Sequence, residues 1–276
     1  MSEPFNRRQL LKFSLFTAVI ANLPHIGLAN SETEGNKEVK ALVFDVFGTV
    51  VDWRASIIDE GQQLNESKKL AIDWAQFADD WRAGYGPYML KVRDGKLPWT
   101  TIDNLHRMML DELGGKYDLS SFSDSELDHL NQVWHRLQPW PDAVSGLSRL
   151  KTKFMISTLS NGNVSLLANM AKNSGLPWDV VLSAELFKTY KPDLVVYQSA
   201  AEILGLVPSQ VMMVAAHVSD LNAAQEAGLK TAYIHRPLER GPGKDGKGQR
   251  QAAARLSNFN FVAEDFHDLA NQLDVQ

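Results

Sequence analysis

"FDVFGTVVDW", residues 44–53, continues an apolar run that begins at Ala41 and is interrupted up to Phe47 only by Asp45. Such a stretch has the pattern of a strand buried on both faces, as in a parallel sheet. It leaves Asp45 at the carboxyl end of the strand, beside a turn through Gly48 and Thr49 where backbone amides converge. A carboxylate held there can attack an electrophile. An aspartate in that place is also a common cap of a turn or helix, so the stretch alone decides nothing. Further strands of the same kind are expected at 154–159, 180–183, 211–216, 231–234 and 259–262. Amphipathic stretches of helical length lie between most of them, among them 164–174, 194–206 and 220–228, the last ending at a glycine suited to a helix C-cap. This alternation predicts an α/β fold with a doubly wound parallel sheet, right-handed crossovers and a ligand site beyond the carboxyl ends of the strands.

Residues 55–138 break the alternation, because helical patterns follow one another there with no convincing strand. They read as a helical domain inserted after the first strand, with 39–54 and 139–276 forming the core domain. Five of the seven tryptophans, Trp74, Trp81, Trp99, Trp134 and Trp140, fall in the insert or at its boundary. Most are expected to pack its interior and a minority to line a pocket facing the sheet. The stretch 236–250, with four glycines, two prolines and five basic residues, reads as a solvated loop.

The 276 residues are 44% apolar and 22% charged, enough to bury a core and too apolar for a disordered chain. A net charge of -5 gives no electrostatic case for nucleic acid, which calls for a basic face. Without a cysteine there is no disulfide, no thiolate metal site and no thiol nucleophile. Residues 1–29 resemble a twin-arginine export signal: Arg7 and Arg8 precede a moderately apolar run broken by Asn22, Pro24 and His25, and Gly27-Leu28-Ala29 offers a small-residue cleavage site. The run falls short of the roughly 20 uninterrupted apolar residues of a spanning helix. The expectation is a removable label read by the twin-arginine machinery, a periplasmic destination, no stable membrane anchor, and a linker over 30–38.

Three further stretches join Asp45. Ser160-Asn161-Gly162 ends the expected strand 154–159, Lys191-Pro192-Asp193 follows the next, and 211–216 leads into His217 and Asp220. All lie at the same end of the expected sheet, so they meet in space. With these four motifs the chain resembles the haloacid dehalogenase superfamily, and within it the type II 2-haloacid dehalogenases, from Lys40 onward. The resemblance implies a Rossmann-like core with a helical cap domain, Asp45 as nucleophile, and a small halocarboxylate as substrate. It implies that Lys191 keeps that carboxylate ionised and oriented. Thr49, Ser160 and Tyr197 match positions that orient the nucleophile, the substrate carboxylate or both, and Arg82 with Asn161 matches the receiver of the halide. Phe47 and Trp99 are placed with the substrate-binding residues.

Most members of that superfamily are magnesium-dependent phosphatases, which carry an Asp two residues past the nucleophile to protonate the departing alkoxide. Here that position is Phe47, and halide leaves without a proton. Phosphatases typically read Gly-Asp-Ser-x-x-Asp in the fourth motif, whereas this chain reads Ala215-Ala216-His217-Val218-Ser219-Asp220, with Ala216 where a metal-holding Asp is expected. The implied reaction is hydrolysis of short 2-haloalkanoic acids to 2-hydroxy acids through an ester on Asp45, with inversion at C2 as in (S)-2-haloacid dehalogenases and without a cofactor; a phosphatase acting on a small phosphorylated metabolite is the alternative. Asp220 is expected to orient or activate the hydrolytic water. His217 stands where the better-known pattern has an asparagine; it either shares that task as a base of pKa about 6.5 or hydrogen-bonds the Asp45 ester. His106, His129 and His135 have no partner motif and read as ordinary helix residues. Oligomeric state is left open, a homodimer being one option.

Overall fold

A computed structural model describes residues 38–243 and 256–276. The expected export signal, all of the linker but its last residue, and 244–250 of the basic loop lie outside the described residues. Six parallel strands form the central sheet: β1 (Ala41–Phe44), β4 (Met155–Ser160), β5 (Val180–Ser183), β6 (Val211–Ala215), β7 (Lys230–Ile234) and β8 (Phe261–Ala263). Their order is β5-β4-β1-β6-β7-β8, so the chain builds outward from β1 on one side, then returns and builds outward on the other. That reversal is the switch point at which open α/β sheets bind ligands. Every side chain of β1 is fully buried, which explains its unbroken apolar pattern.

Helices α5 (Ala143–Lys151), α6 (Val164–Ser174), α7 (Leu194–Ile203), α8 (Val218–Glu226) and α9 (Phe266–Gln272) complete the core. The expected doubly wound α/β architecture is thus present. α6 spans the residues its periodicity indicates, and Gly228, at φ +89°, follows α8 in the left-handed conformation that ends a helix. Among the described residues no helix is long and apolar enough to cross a membrane.

The inserted region comprises α1 (Trp53–Lys68), α2 (Trp74–Arg93), α3 (Ile102–Lys116) and α4 (Asp124–Asn131). Their starts are written in the sequence: Asp52 accepts from the Ala55 amide, Asp73 from those of Ala75 and Gln76, and Ser123 forms a capping box with Glu126. Two short strands that the apolar pattern did not announce, β2 (Val51–Asp52) and β3 (Gln138–Pro139), pair antiparallel where the chain leaves and re-enters the core. Trp74, Trp81 and Trp134 are buried, with Phe77, Trp81 and Trp134 meeting edge to face at 5.4–5.5 Å. Each such burial stabilises the fold by about 1.5–3 kcal/mol.

Within 236–243 the reading as a solvated loop holds for Pro237, Leu238, Arg240, Pro242 and Gly243, which are exposed, and fails at Arg236 and Glu239. Arg236 grips Asp142 with two hydrogen bonds of 2.8 and 2.9 Å and donates from Nε to the Thr49 carbonyl, and Glu239 is buried. Partners supplied by distant segments outweigh the cost of burying these charges.

Candidate active site

Asp45 stands one residue past β1, its backbone N–H donating to Val214 O. The turn after it is fixed from several sides. Gly48 adopts φ +86° and donates to Val51 O, its own carbonyl accepts the Trp140 indole N–H at 2.9 Å, and the Thr49 carbonyl accepts from Arg236. Thr49 Oγ1 donates to Asp45 Oδ2 at 2.7 Å and accepts the Ala216 N–H at 3.0 Å, which ties the first motif to the fourth.

Lys191, buried after β5, reaches Asp45 Oδ1 at 2.9 Å and Asp220 Oδ2 at 2.5 Å. Burial opposes the ionisation of Asp45, but Lys191 and the bond from His217 outweigh it and hold this carboxyl well below the usual carboxylate range. Lys191 in turn is held above its ordinary value, burial being overcome by Asp220 and Asp45. Asp220, in the first turn of α8, is pushed up by burial against the pull of Lys191, and its second oxygen accepts from the Tyr197 hydroxyl. Burial and the neighbouring Asp220 keep Tyr197 protonated.

His217 lies between two carboxylates, with Nδ1 2.9 Å from Asp45 Oδ2 and Nε2 3.0 Å from Glu239 Oε1. Ionised carboxylates only accept, so both ring nitrogens must donate and the ring is an imidazolium. Burial opposes that charge; the bonds to Asp45 and Glu239 prevail and push His217 up to about 10. The expected base of ordinary pKa is therefore not the resting state. Glu239, which sequence reasoning missed, is held below its usual value by His217 despite burial, and also accepts from the Trp53 indole. It follows β7, at the same end of the sheet as the other motifs, and that position was the signal available.

A cavity of about 210 Å³ opens onto Asp45, lined by Phe47, Arg82, Tyr85, Asn161, Lys191 and His217 among others. This is smaller than the ~300–1,000 Å³ typical of sites for drug-sized ligands and suits a substrate of a few heavy atoms. Arg82 packs its guanidinium 4.2 Å from the Tyr85 ring centre, and its Nη1 is buried without a hydrogen-bond partner. An unpaired buried donor on a cation calls for an anion. Asn161 uses its amide largely to hold Lys191, accepting that residue's N–H at 2.6 Å.

Three expected contacts lie elsewhere. Trp99 does not line the cavity; its ring packs at a tilt against Tyr190 with centroids 4.8 Å apart, and Phe47 and Tyr85 supply the aromatic wall. Ser160 accepts from the Gly162 N–H, and Tyr197 serves Asp220, so both are placed behind the cavity lining. Among the other histidines, His106 stacks on Trp134 at 4.0 Å and is kept neutral by burial, while His129 and His135 lie beside Glu60 and Asp103.

Fold and site together define a capped α/β hydrolase built around an aspartate at the end of its first strand. Residues 39–228 match the family profile described as haloacid dehalogenase-like hydrolase. The chain is 42% identical to the L-2-haloacid dehalogenase PA0810, covering 85% of this chain and 99% of that one with a TM-score of 0.78. It is equally identical to the defluorinating L-2-haloacid dehalogenase Rha0230, over 88% and 98% at a TM-score of 0.81. (S)-2-haloacid dehalogenase 4A of Burkholderia cepacia is 28% identical over 216 residues, 72% of this chain and 84% of that protein. The chain belongs to the haloacid dehalogenase-like hydrolases, in the family of the 2-haloacid dehalogenases.

Proposed function

We propose that this protein hydrolyses short 2-halocarboxylic acids to 2-hydroxy acids, acting on the (S) enantiomer with inversion at C2, after export to the periplasm by the twin-arginine machinery. One observation carries the chemistry: an ionised Asp45 carboxylate, both oxygens gripped, shares a small cavity with an arginine nitrogen that has no partner. Asp45 forms a bond to C2 as the carbon–halogen bond breaks, and the halide departs with the electron pair toward Arg82. Phe47 offers no proton at the cavity wall, and a halide needs none. Water then cleaves the ester at the Asp45 carbonyl, returning the carboxylate.

The test is halide release from each enantiomer of 2-chloropropionate by the purified protein, with and without a chelator. Consumption of the (S) acid with formation of the (R) hydroxy acid, unaffected by chelator, supports the reading. Hydrolysis of phosphate monoesters that chelator abolishes, with no halide released, overturns it. Because one relative is named a defluorinating enzyme, a 2-fluoro acid belongs in the same assay.

A further inference from the structure

Glu239 takes no part in the reaction as set out above, yet it is buried and joined to the partner of the nucleophile. Its Oε1 accepts from Trp53 at 3.2 Å and meets His217 Nε2 at 3.0 Å, while the same imidazole presents Nδ1 to Asp45. It approaches over bare backbone, since a Cβ on Gly48 would collide with its carboxylate. A neutral acceptor would satisfy the indole; only the imidazole gains from the charge.

We propose that Glu239 is the positioning residue of ester cleavage: it keeps one proton on His217 Nε2, so that Nδ1 is the base for the water that attacks Cγ of the Asp45 ester. The proposal rests on the dehalogenase reading. Displacement turns Asp45 into a neutral ester and removes one of the two charges facing the ring. The Nδ1 proton then leaves to solvent, and this is the one proton that the overall hydrolysis releases. As the water oxygen bonds to Cγ, one of its protons passes to Nδ1. The bond from Cγ to the substrate-derived oxygen breaks, the departing alkoxide takes the second water proton, and Asp45 and the imidazolium are restored as a pair. Asp220 is less suited to this task, because each of its oxygens already accepts, from Lys191 and Tyr197. Lys191, Asp220, Arg82 and Arg240 also line the cavity, but of these groups and Asp45 only Asp45 is esterified, so the charge that the reaction itself changes beside His217 is that of Asp45.

The experiment follows rapid halide release, steady-state turnover and mass of the Asp45 peptide in the parent, Glu239→Gln, Glu239→Asp, His217→Ala and the Gln/Ala double variant. Glu239→Gln, His217→Ala and the double variant are expected to release about one equivalent of halide in a burst before slow turnover. Turnover should fall on the order of 10- to 100-fold in Glu239→Gln and 10²- to 10⁴-fold in His217→Ala, with ester accumulating on Asp45. The acid limb of ester cleavage reports loss of the Nδ1 proton. Removing the Glu239 charge lowers the affinity for that proton, so the limb moves to lower pH by about one unit or more. Glu239→Asp keeps the charge and should partly recover the profile. The double variant should be no slower than His217→Ala. Parental turnover and an unmoved limb in folded Glu239→Gln overturn the proposal, as do a lost burst or multiplied effects in the double variant. A parent that releases no halide from either enantiomer overturns the dehalogenase reading itself, a result distinct from all of these.

Discussion

Lys191 follows Asp45 by 146 positions, and its ammonium nitrogen lies 2.9 Å from the Asp45 carboxylate, with both groups buried. It bridges onward to Asp220, so one cation serves two enclosed anions. Lys191→Met leaves those anions without it. Breaking a buried pair typically costs about 3–5 kcal/mol. Burial and mutual repulsion would then raise the carboxyl pKa values, so the loss should be largest above neutrality and shrink toward pH 5, where a proton replaces the lysine. Urea unfolding at both pH values measures this, and halide release at pH 7 should drop at least ~100-fold as the nucleophile loses its charge.

His217 predicts a loss of stability on the alkaline side. The unfolded chain gives up the imidazole proton near the ordinary 6.5, whereas the fold holds it to about 10. The stabilisation from this group is complete below the lower value and is lost as pH rises through the upper one. Between pH 7 and 10 the parent should therefore lose a portion of its urea midpoint that His217→Gln does not lose.

Arg236 and Asp142 form a part-buried pair, at the back of the turn that carries Asp45. Arg236→Met orphans Asp142 and frees the Thr49 carbonyl. A destabilisation of about 1.5–3 kcal/mol is expected, the range for hydrogen bonds to a charged group. Adding Asp142→Asn should recover part of it, since the stranded charge is then gone; denaturant curves of the two singles and the double supply the coupling.

Arg7 and Arg8 carry the export proposal. Changing both to Lys should shift the protein from the periplasmic to the cytoplasmic fraction of its host, with the purified mature enzyme unaffected. Unchanged periplasmic yield would remove the proposal.

The sheet and the four motifs could be read because each is a local pattern. Buried parallel strands have unbroken apolar runs, and polar residues at their carboxyl ends share one rim, so the sequence alone brings Asp45, Lys191, His217 and Asp220 together. Glu239 escaped because a charged residue in a glycine-rich, basic stretch carries no local mark of burial; its partners, Trp53 and His217, lie 186 and 22 positions away. The rim rule, extended to the loop after β7, would have found it. Trp99 failed for the converse reason: tryptophans at helical spacing announce burial without saying against what, and Tyr190 proved to be the neighbour. The charge of His217 was likewise illegible, being set by two carboxylates that meet only in three dimensions.

The placement of β1 between β4 and β6 has a dynamic consequence. Native proteins open piecemeal, and amides in the middle of a sheet exchange with solvent only when most of the molecule comes apart, whereas peripheral helices open at a fraction of that free energy. Asp45 is attached to a strand with two hydrogen-bonded neighbours and no exposed side chain. Arg82 and Tyr85 belong to α2 of the inserted region, whose chain leaves and re-enters the core at a β2–β3 ribbon of two residues a side. Amides around Arg82 and Tyr85 are therefore expected to exchange faster than those beside Asp45, an ordering in which that wall of the cavity can loosen while the carboxylate stays in register.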